Sequence, residues 1–304
     1  MKDRKKLDKL RWRTNQKSEN IVFYSYKISQ HDHINDHEFK RLNHSIKSLR
    51  EFNNEILVYL FCDKPNLVPD HFKSEYSVKI RPFVHGFDHD MLSAWSIHRW
   101  YNLKSFHHKD CNILYLDSDT IFYDNVDYIF NTYCYYDVYG REEYGFRFDP
   151  NIGGGVKIRE QLDKVDLAIY YLGGRGAIYK YCCGVILLNN NIHNYIINSL
   201  DELSGLMNDF KRKQQFYPIP NPRIVDQYAI WTIFSRIEIM GGLFACQDVT
   251  MGYKEQKHQE HFNPVVLHYT TKGEQELAKS DEKYNDLIRD VDTLGADIDP
   301  YSVA

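Results

Sequence analysis

The run Asn112-Ile-Leu-Tyr-Leu-Asp-Ser-Asp-Thr-Ile-Phe122 decides how this chain is read. Asn112 to Leu116 is mostly apolar and strand-forming, and it leads straight into Asp117 and Asp119, separated by Ser118. A mainly apolar strand is buried on both faces, and open α/β sheets place their ligands at the carboxyl ends of such strands. Two acids at such an end repel each other unless a cation sits between them. Hard divalent cations such as Mg²⁺ or Mn²⁺ take oxygen ligands and are often shared with substrate phosphates. The run therefore points to a metal–diphosphate site at the tip of a central strand. Asp-Ser-Asp is also ordinary turn chemistry, because Asp and Ser side chains cap the backbone. The apolar strand before it and Ile121-Phe122 after it favour the site.

Upstream, Ile21–Tyr26 predicts a strand, Glu55–Phe61 a second and Tyr76–Phe83 a third. Asp36–Phe52 carries Phe39, Leu42, Ile46 and Leu49 at helical steps, and Met91–Phe106 carries Trp95, Ile97, Trp100 and Leu103. Strand, helix, strand, strand, helix, strand is an α/β order, and right-handed crossovers make it a doubly wound half. No G-x-G-x-x-G follows the first strand and no Walker motif occurs, which disfavours dinucleotide and P-loop folds.

Downstream, Gly153-Gly154-Gly155 and Gly173-Gly174-Arg175-Gly176 flank an expected helix at Glu160–Tyr171. These glycines read as mobile loops over a site or as turns. Tyr179–Leu188 is a strong strand, Ile192–Phe210 a helix, and Pro218, Pro220 and Pro222 a rigid connector. Ile224–Ser235 is a helix with Asp226 and Gln227 near its start, followed by a turn at Gly241-Gly242 and a short strand at Val265–His268. The tail from Gly273 is polar and reads as helical to about Asp290. No repeat or clean linker interrupts the chain, so a compact single domain with two lobes is expected.

The chain has 304 residues, with 43% hydrophobic and 26% charged, as in an ordinary globular protein. A net charge of −4 argues against a general nucleic-acid binder. The basic stretch Met1–Arg13 reads as an exposed terminus. No run approaches the roughly 20 apolar residues of a transmembrane helix, and the N-terminus lacks a signal-peptide core. A cytoplasmic location follows as an expectation, with the six cysteines reduced and mostly buried. The 24 tyrosines suit sugar or base binding, and also suit a core.

Four segments carry chemistry: Asp117-Ser118-Asp119, Cys182-Cys183-Gly184-Val185, Asp226-Gln227, and His268-Tyr269 with Lys272. In their order and rough spacing, over about residues 20 to 275, the chain resembles the GT-A fold glycosyltransferases. It looks closest to the glycogenin and bacterial galactosyltransferase-like group often called family 8. That group orders a nucleotide-binding first strand (here Val22–Tyr26), a D-x-D strand, an N-[AS]-G-V strand, a D-Q helix start and a late H-[FY] with a lysine beyond. Two positions depart from it. Cys182 stands where the group has an asparagine that faces the donor sugar or acceptor. Lys272 comes four residues after the histidine, with Gly273 behind it, where the group has glycine first.

The resemblance implies a mostly parallel central sheet flanked by helices, and a division into a basic extension (1–18), a GT-A domain (19–275) and a helical tail (276–304). Residues 19–125 would form the nucleotide-binding half and 126–275 the acceptor half. It implies a metal-dependent glycosyltransferase that moves a sugar from a nucleotide-diphosphate donor, UDP-linked, to a hydroxyl of a glycan or other acceptor, with retention of configuration. Asp119 and His268 would ligate Mn²⁺ or Mg²⁺, with Asp117 on the metal or the ribose. An imidazole ligand favours Mn²⁺. Ser118, Arg99 and Lys272 would face the donor, and Tyr24 and Tyr26 would stack on its base. Asp226 and Gln227 would face the anomeric carbon or the acceptor hydroxyl, with Asp226 as the base if the enzyme inverts.

Each assignment has a plainer alternative. His268 is also readable as a core histidine, Asp226 as a carboxylate drawn to a helix N-terminus, and Arg99 as a solvated charge. Core packing is the alternative for one of Tyr24 and Tyr26, on the ground that strand residues alternate faces. Two other functions stay open: a sugar-phosphate nucleotidyltransferase and a catalytically silent sugar-nucleotide or glycan-binding module. Nucleotidyltransferases usually carry a glycine-rich loop after the first strand, and Ser25–Gln30 has no glycine.

Overall fold

The computed structural model describes residues 18–28, 37–84, 94–142, 169–170, 173–174, 181–213, 225–237, 239–251 and 264–268. The strands are β1 (Glu19–Tyr26), β2 (Leu57–Cys62), β3 (Val78–Pro82), β4 (Cys111–Leu116), β5 (Thr120–Phe122), β6 (Val138–Glu142), β7 (Tyr181–Leu188), β8 (Gly241–Leu243), β9 (Val249–Met251) and β10 (Val266–His268). The helices are α1 (His37–Phe52), α2 (His71–Ser74), α3 (Ala94–Tyr101), α4 (Asp127–Thr132), α5 (Ile192–Asn198), α6 (Leu200–Lys213) and α7 (Val225–Arg236).

The main sheet runs β3-β2-β1-β4-β7-β6-β8. Strands β3, β2, β1 and β4 are mutually parallel. β7 runs antiparallel to both β4 and β6, and β8 is parallel to β6. The expected α/β fold with a mostly parallel, helix-flanked sheet is therefore what the chain forms. Alternation along β1 and β4 sends Phe23 and Tyr115 to one face and Val22 and Leu114 to the other. The first face packs against α3, α5, α6 and α7 through Trp100, Ile196, Leu203 and Trp231. The second is covered by α1 through Leu42, Ile46 and Leu49, the apolar stripe legible in the sequence. Burying each of these large side chains contributes roughly 1.5–3 kcal/mol.

The run Asn112–Phe122 is two strands in two sheets. β4 ends at Leu116, and the Asp117 N–H still reaches the Gly184 carbonyl at 2.7 Å. The chain then turns, with the Thr120 hydroxyl donating to the Asp117 carbonyl at 3.1 Å. Thr120 is buried beside α1, its hydroxyl 2.6 Å from that of Ser45. Ile121-Phe122 thereby leaves the main sheet for a small one ordered β5-β10-β9.

Other expectations are corrected. Gly241-Gly242 is part of β8 rather than a turn. A Cβ on Gly242 would stand 2.5 Å from the rings of Tyr136 and Tyr139, so glycine here permits close approach. The expected helix at Ile192–Phe210 is two helices, broken at Ser199. The end of the Met91–Phe106 helix is a tighter 3₁₀ segment, Asn102–Phe106. The glycines at 153–155, the prolines at 218–222, Lys272 and the tail lie outside the described residues. Among the described residues no helix is long and apolar enough to cross a membrane.

Candidate active site

β7 runs antiparallel to β4, so the first residues of β7 lie beside the carboxyl end of β4. β10 brings His268 to the same place through its pairing with β5, in which His268 is the register partner of Thr120. His268 Nε2 lies 3.1 Å from Asp119 Oδ1, and one ligand atom each of Asp117, Asp119 and His268 falls within 4.8 Å of the others. Both carboxylates are half-buried, with the imidazole behind them. Two carboxylates and one imidazole on a partly open rim fit a hard-to-borderline divalent cation that completes its shell with outside oxygens.

The ring of His268 rests against β7. A Cβ on Gly184 would meet its Cε1 at 2.3 Å and its Nε2 at 2.6 Å, so no side chain fits there without moving the imidazole. Burial opposes charge on His268, but the adjacent Asp119 carboxylate outweighs it and holds the imidazole well above its ordinary range. A proton and a cation therefore compete for the same position.

Arg99 of α3 forms the second half of the site. It is only 6% exposed, and its guanidinium stacks over the Tyr115 ring at 4.9 Å. Nη1 donates to the Cys183 carbonyl at 2.7 Å and lies 3.4 Å from Asp117, while Nε lies 3.8 Å from Asp226. Burial works against the charge, yet Asp117 and the groups around it hold the guanidinium well above its usual value. The Tyr115 hydroxyl donates to Asp117 Oδ1 at 2.5 Å, and burial pushes it well above the phenol range. Asp226 occupies the first turn of α7, and the side-chain Oε1 of Gln227 accepts the Cys183 N–H at 3.2 Å.

Asp117, Ser118, Asp119 and His268 thus gather at one rim, with Arg99, Asp226 and Gln227 behind it. Arg99 is buried rather than solvated, and it lies against Asp117 and Asp226. Tyr24 is a correction. Its ring is 1% exposed and its hydroxyl lies 2.9 Å from Ser45, which leaves no face for a base. Tyr26, 6% exposed, belongs to the same core cluster. Residues two apart in a strand share a face, so alternation never separated these two tyrosines. Tyr115 was missed as a site residue, although it lies two positions before Asp117. Nothing local in the sequence marks Gly184 as the seat of His268.

No known protein family matches the chain, and no curated protein sequence does. Solved structures do. The glycosyltransferase GlyE of Streptococcus pneumoniae TIGR4, in its apo form, matches with a TM-score of 0.52 at 14% identity, over 91% of this chain and 64% of GlyE. Mouse xyloside xylosyltransferase 1 matches with a TM-score of 0.48 at 10% identity, over 84% of this chain and 98% of that one. The chain spans less than two thirds of the length of GlyE. At such identity the GlyE likeness establishes the fold, the GT-A type of mixed α/β domain.

Proposed function

We propose that this chain is a metal-dependent glycosyltransferase that moves a sugar from a nucleotide-diphosphate donor, UDP-linked, to a hydroxyl of a glycan or other acceptor. The observation that carries the reading is the convergence of Asp117, Asp119 and His268 at the carboxyl end of a central parallel strand. Switch points of this kind are where α/β sheets bind nucleotides. The GT-A fold shared with GlyE supports the same reading.

Asp119 and His268 hold the cation, and the imidazole favours Mn²⁺ over Mg²⁺. When bound, the cation stabilises the charge that grows on the leaving diphosphate. Asp117 is fixed on one oxygen by Tyr115 and Arg99, so its carboxylate keeps a set orientation toward the cation or the donor ribose. Ser118 and Lys272 contribute polar contacts to the donor. Gln227 and Asp226 line the side where the anomeric carbon and acceptor meet.

The Arg99–Asp226 pair favours retention. An inverting enzyme needs a carboxylate ready to take a proton from the acceptor, and a nearby guanidinium makes a carboxylate a weaker base. In a retaining reaction the departing phosphate can take that proton, and Asp226 acts as a fixed negative charge beside the reacting carbon.

The test is incubation with Mn²⁺ and a panel of UDP-sugars, reading UDP release and the anomeric configuration of the product by NMR. Donor-dependent UDP release with a retained product is expected. Pyrophosphate release from UTP and a sugar phosphate would instead make the chain a nucleotidyltransferase. Tight donor binding with no release or transfer across the panel would make it a binding module.

A further inference from the structure

β7 is irregular where it meets the site. Across β6 and β7, Gly140 pairs with Ile186 and Glu142 with Tyr181, so two steps along β6 face five along β7. The extra residues fall at Cys182–Val185. Their effect shows in the packing: Tyr181 and Cys183 share a core cluster with Ile186 and Leu188, while Val185 and Leu187 join the opposite one. Irregularities of this kind re-aim side chains and cluster beside active sites. The segment is nonetheless held firmly. Cys183 N–H goes to Gln227, Cys183 O takes Arg99, and Gly184 O takes the Asp117 N–H.

Within that segment Cys182 points at His268. Its sulfur lies 4.0 Å from Nδ1, while Nε2 of the same ring faces Asp119 at 3.1 Å. Cys182 is 7% exposed, so water competes little for the contact. We propose that Cys182 is a positioning residue for the metal site, holding Nδ1 of His268 so that Nε2 presents its lone pair beside Asp119.

This rests on the metal reading above and extends it to a residue outside the ligand set. Only one imidazole nitrogen can ligate in a given ring orientation, and the partner of the other nitrogen fixes tautomer and angle. A thiol sulfur accepts an N–H weakly and at long range, which suits the 4.0 Å separation. The sulfur sits on the side of the ring away from Asp119, so it orients the ligand and does not join the coordination shell. Gly184 completes the arrangement by leaving the space the ring occupies.

The test is Mn²⁺ affinity measured by titration calorimetry in the presence of UDP, on the wild type, Asp119→Asn, Cys182→Ala and Cys182→Ser. Outer-shell partners of metal ligands typically contribute about 10–100-fold in affinity. Cys182→Ala is expected to weaken Mn²⁺ at least tenfold, and Cys182→Ser, whose shorter bond leaves its hydroxyl beyond hydrogen-bond reach of Nδ1, to recover little of the loss. Melting temperatures without metal should stay close to wild type. Should Cys182→Ala fail to fold, Cys182→Val, apolar and with no acceptor, takes its place with the same expected loss. Wild-type affinity in Cys182→Ala, with binding lost in Asp119→Asn, overturns this inference alone. A wild type that binds no Mn²⁺ with UDP overturns the metal reading and this inference with it.

Discussion

Asp119 and His268 lie 3.1 Å apart because Thr120 and His268 are register partners in a three-residue antiparallel pairing. A strand pairing outside the main sheet thus assembles the cluster from residues far apart in sequence.

Asp119→Asn keeps the shape of the side chain and removes its charge. Metal-dependent UDP binding should fall by more than tenfold, about 1.4 kcal/mol or more. Binding that survives unchanged in a calorimetric titration would show that Asp119 is not a ligand.

Arg99→Met removes the cation that faces both Asp117 and Asp226 deep in the sheet. Breaking a buried ion pair from one side costs about 3–5 kcal/mol. Arg99→Lys should not restore this, because an ammonium cannot reach Cys183 O, Asp117 and Asp226 as the planar fork does. Urea unfolding of both variants is the check, and a loss below about 1 kcal/mol would contradict the buried role.

Gly184→Ala drives a methyl group into the His268 ring. Overpacking of this kind costs about 1–3 kcal/mol. Its functional effect should be larger than its effect on stability, because the displaced atoms include Nε2. Mn²⁺ affinity equal to wild type in a folded Gly184→Ala protein would mean that the ring has another seat.

His193 supplies a pH dependence away from the site. It is fully buried, with Nε2 3.1 Å from the Phe106 carbonyl, and burial pushes its pKa down to about 4 from 6.5. The folded state keeps this histidine neutral down to about pH 4, whereas the unfolded chain takes up a proton below about pH 6.5. In that window the unfolded state binds more protons, so stability falls as pH falls, by up to about 3 kcal/mol in all. Urea midpoints measured across the window should show the loss, and His193→Gln should flatten it. An equally steep pH dependence in His193→Gln would assign the effect to another group.

Several features were legible in the sequence for local reasons. β1, β2, β4 and β7 are short apolar runs, and burial on both faces demands such runs. The stripe Leu42, Ile46 and Leu49 marks α1 because helical periodicity is local. Asp117 and Asp119 are readable because they interrupt an apolar strand at its end. The three-residue strands β5, β8 and β9 were not readable as such, since so few residues carry no periodic signal. That both Tyr24 and Tyr26 are buried was not legible, because their burial depends on α1 covering that face of the sheet.

The sequence by itself determined the α/β order and the carboxylates at the end of β4 through patterns within a few residues, and it offered Arg99, Asp226 and His268 as candidates through the order of its motifs along the chain. Only the tertiary structure decided that His268 meets Asp119, that Arg99 is buried between Asp117 and Asp226, and that Cys182 and Gly184 cradle the imidazole. Each of those contacts joins segments distant in the chain. Their register is set by which faces the packed sheets bury, and no local stretch of sequence carries that information.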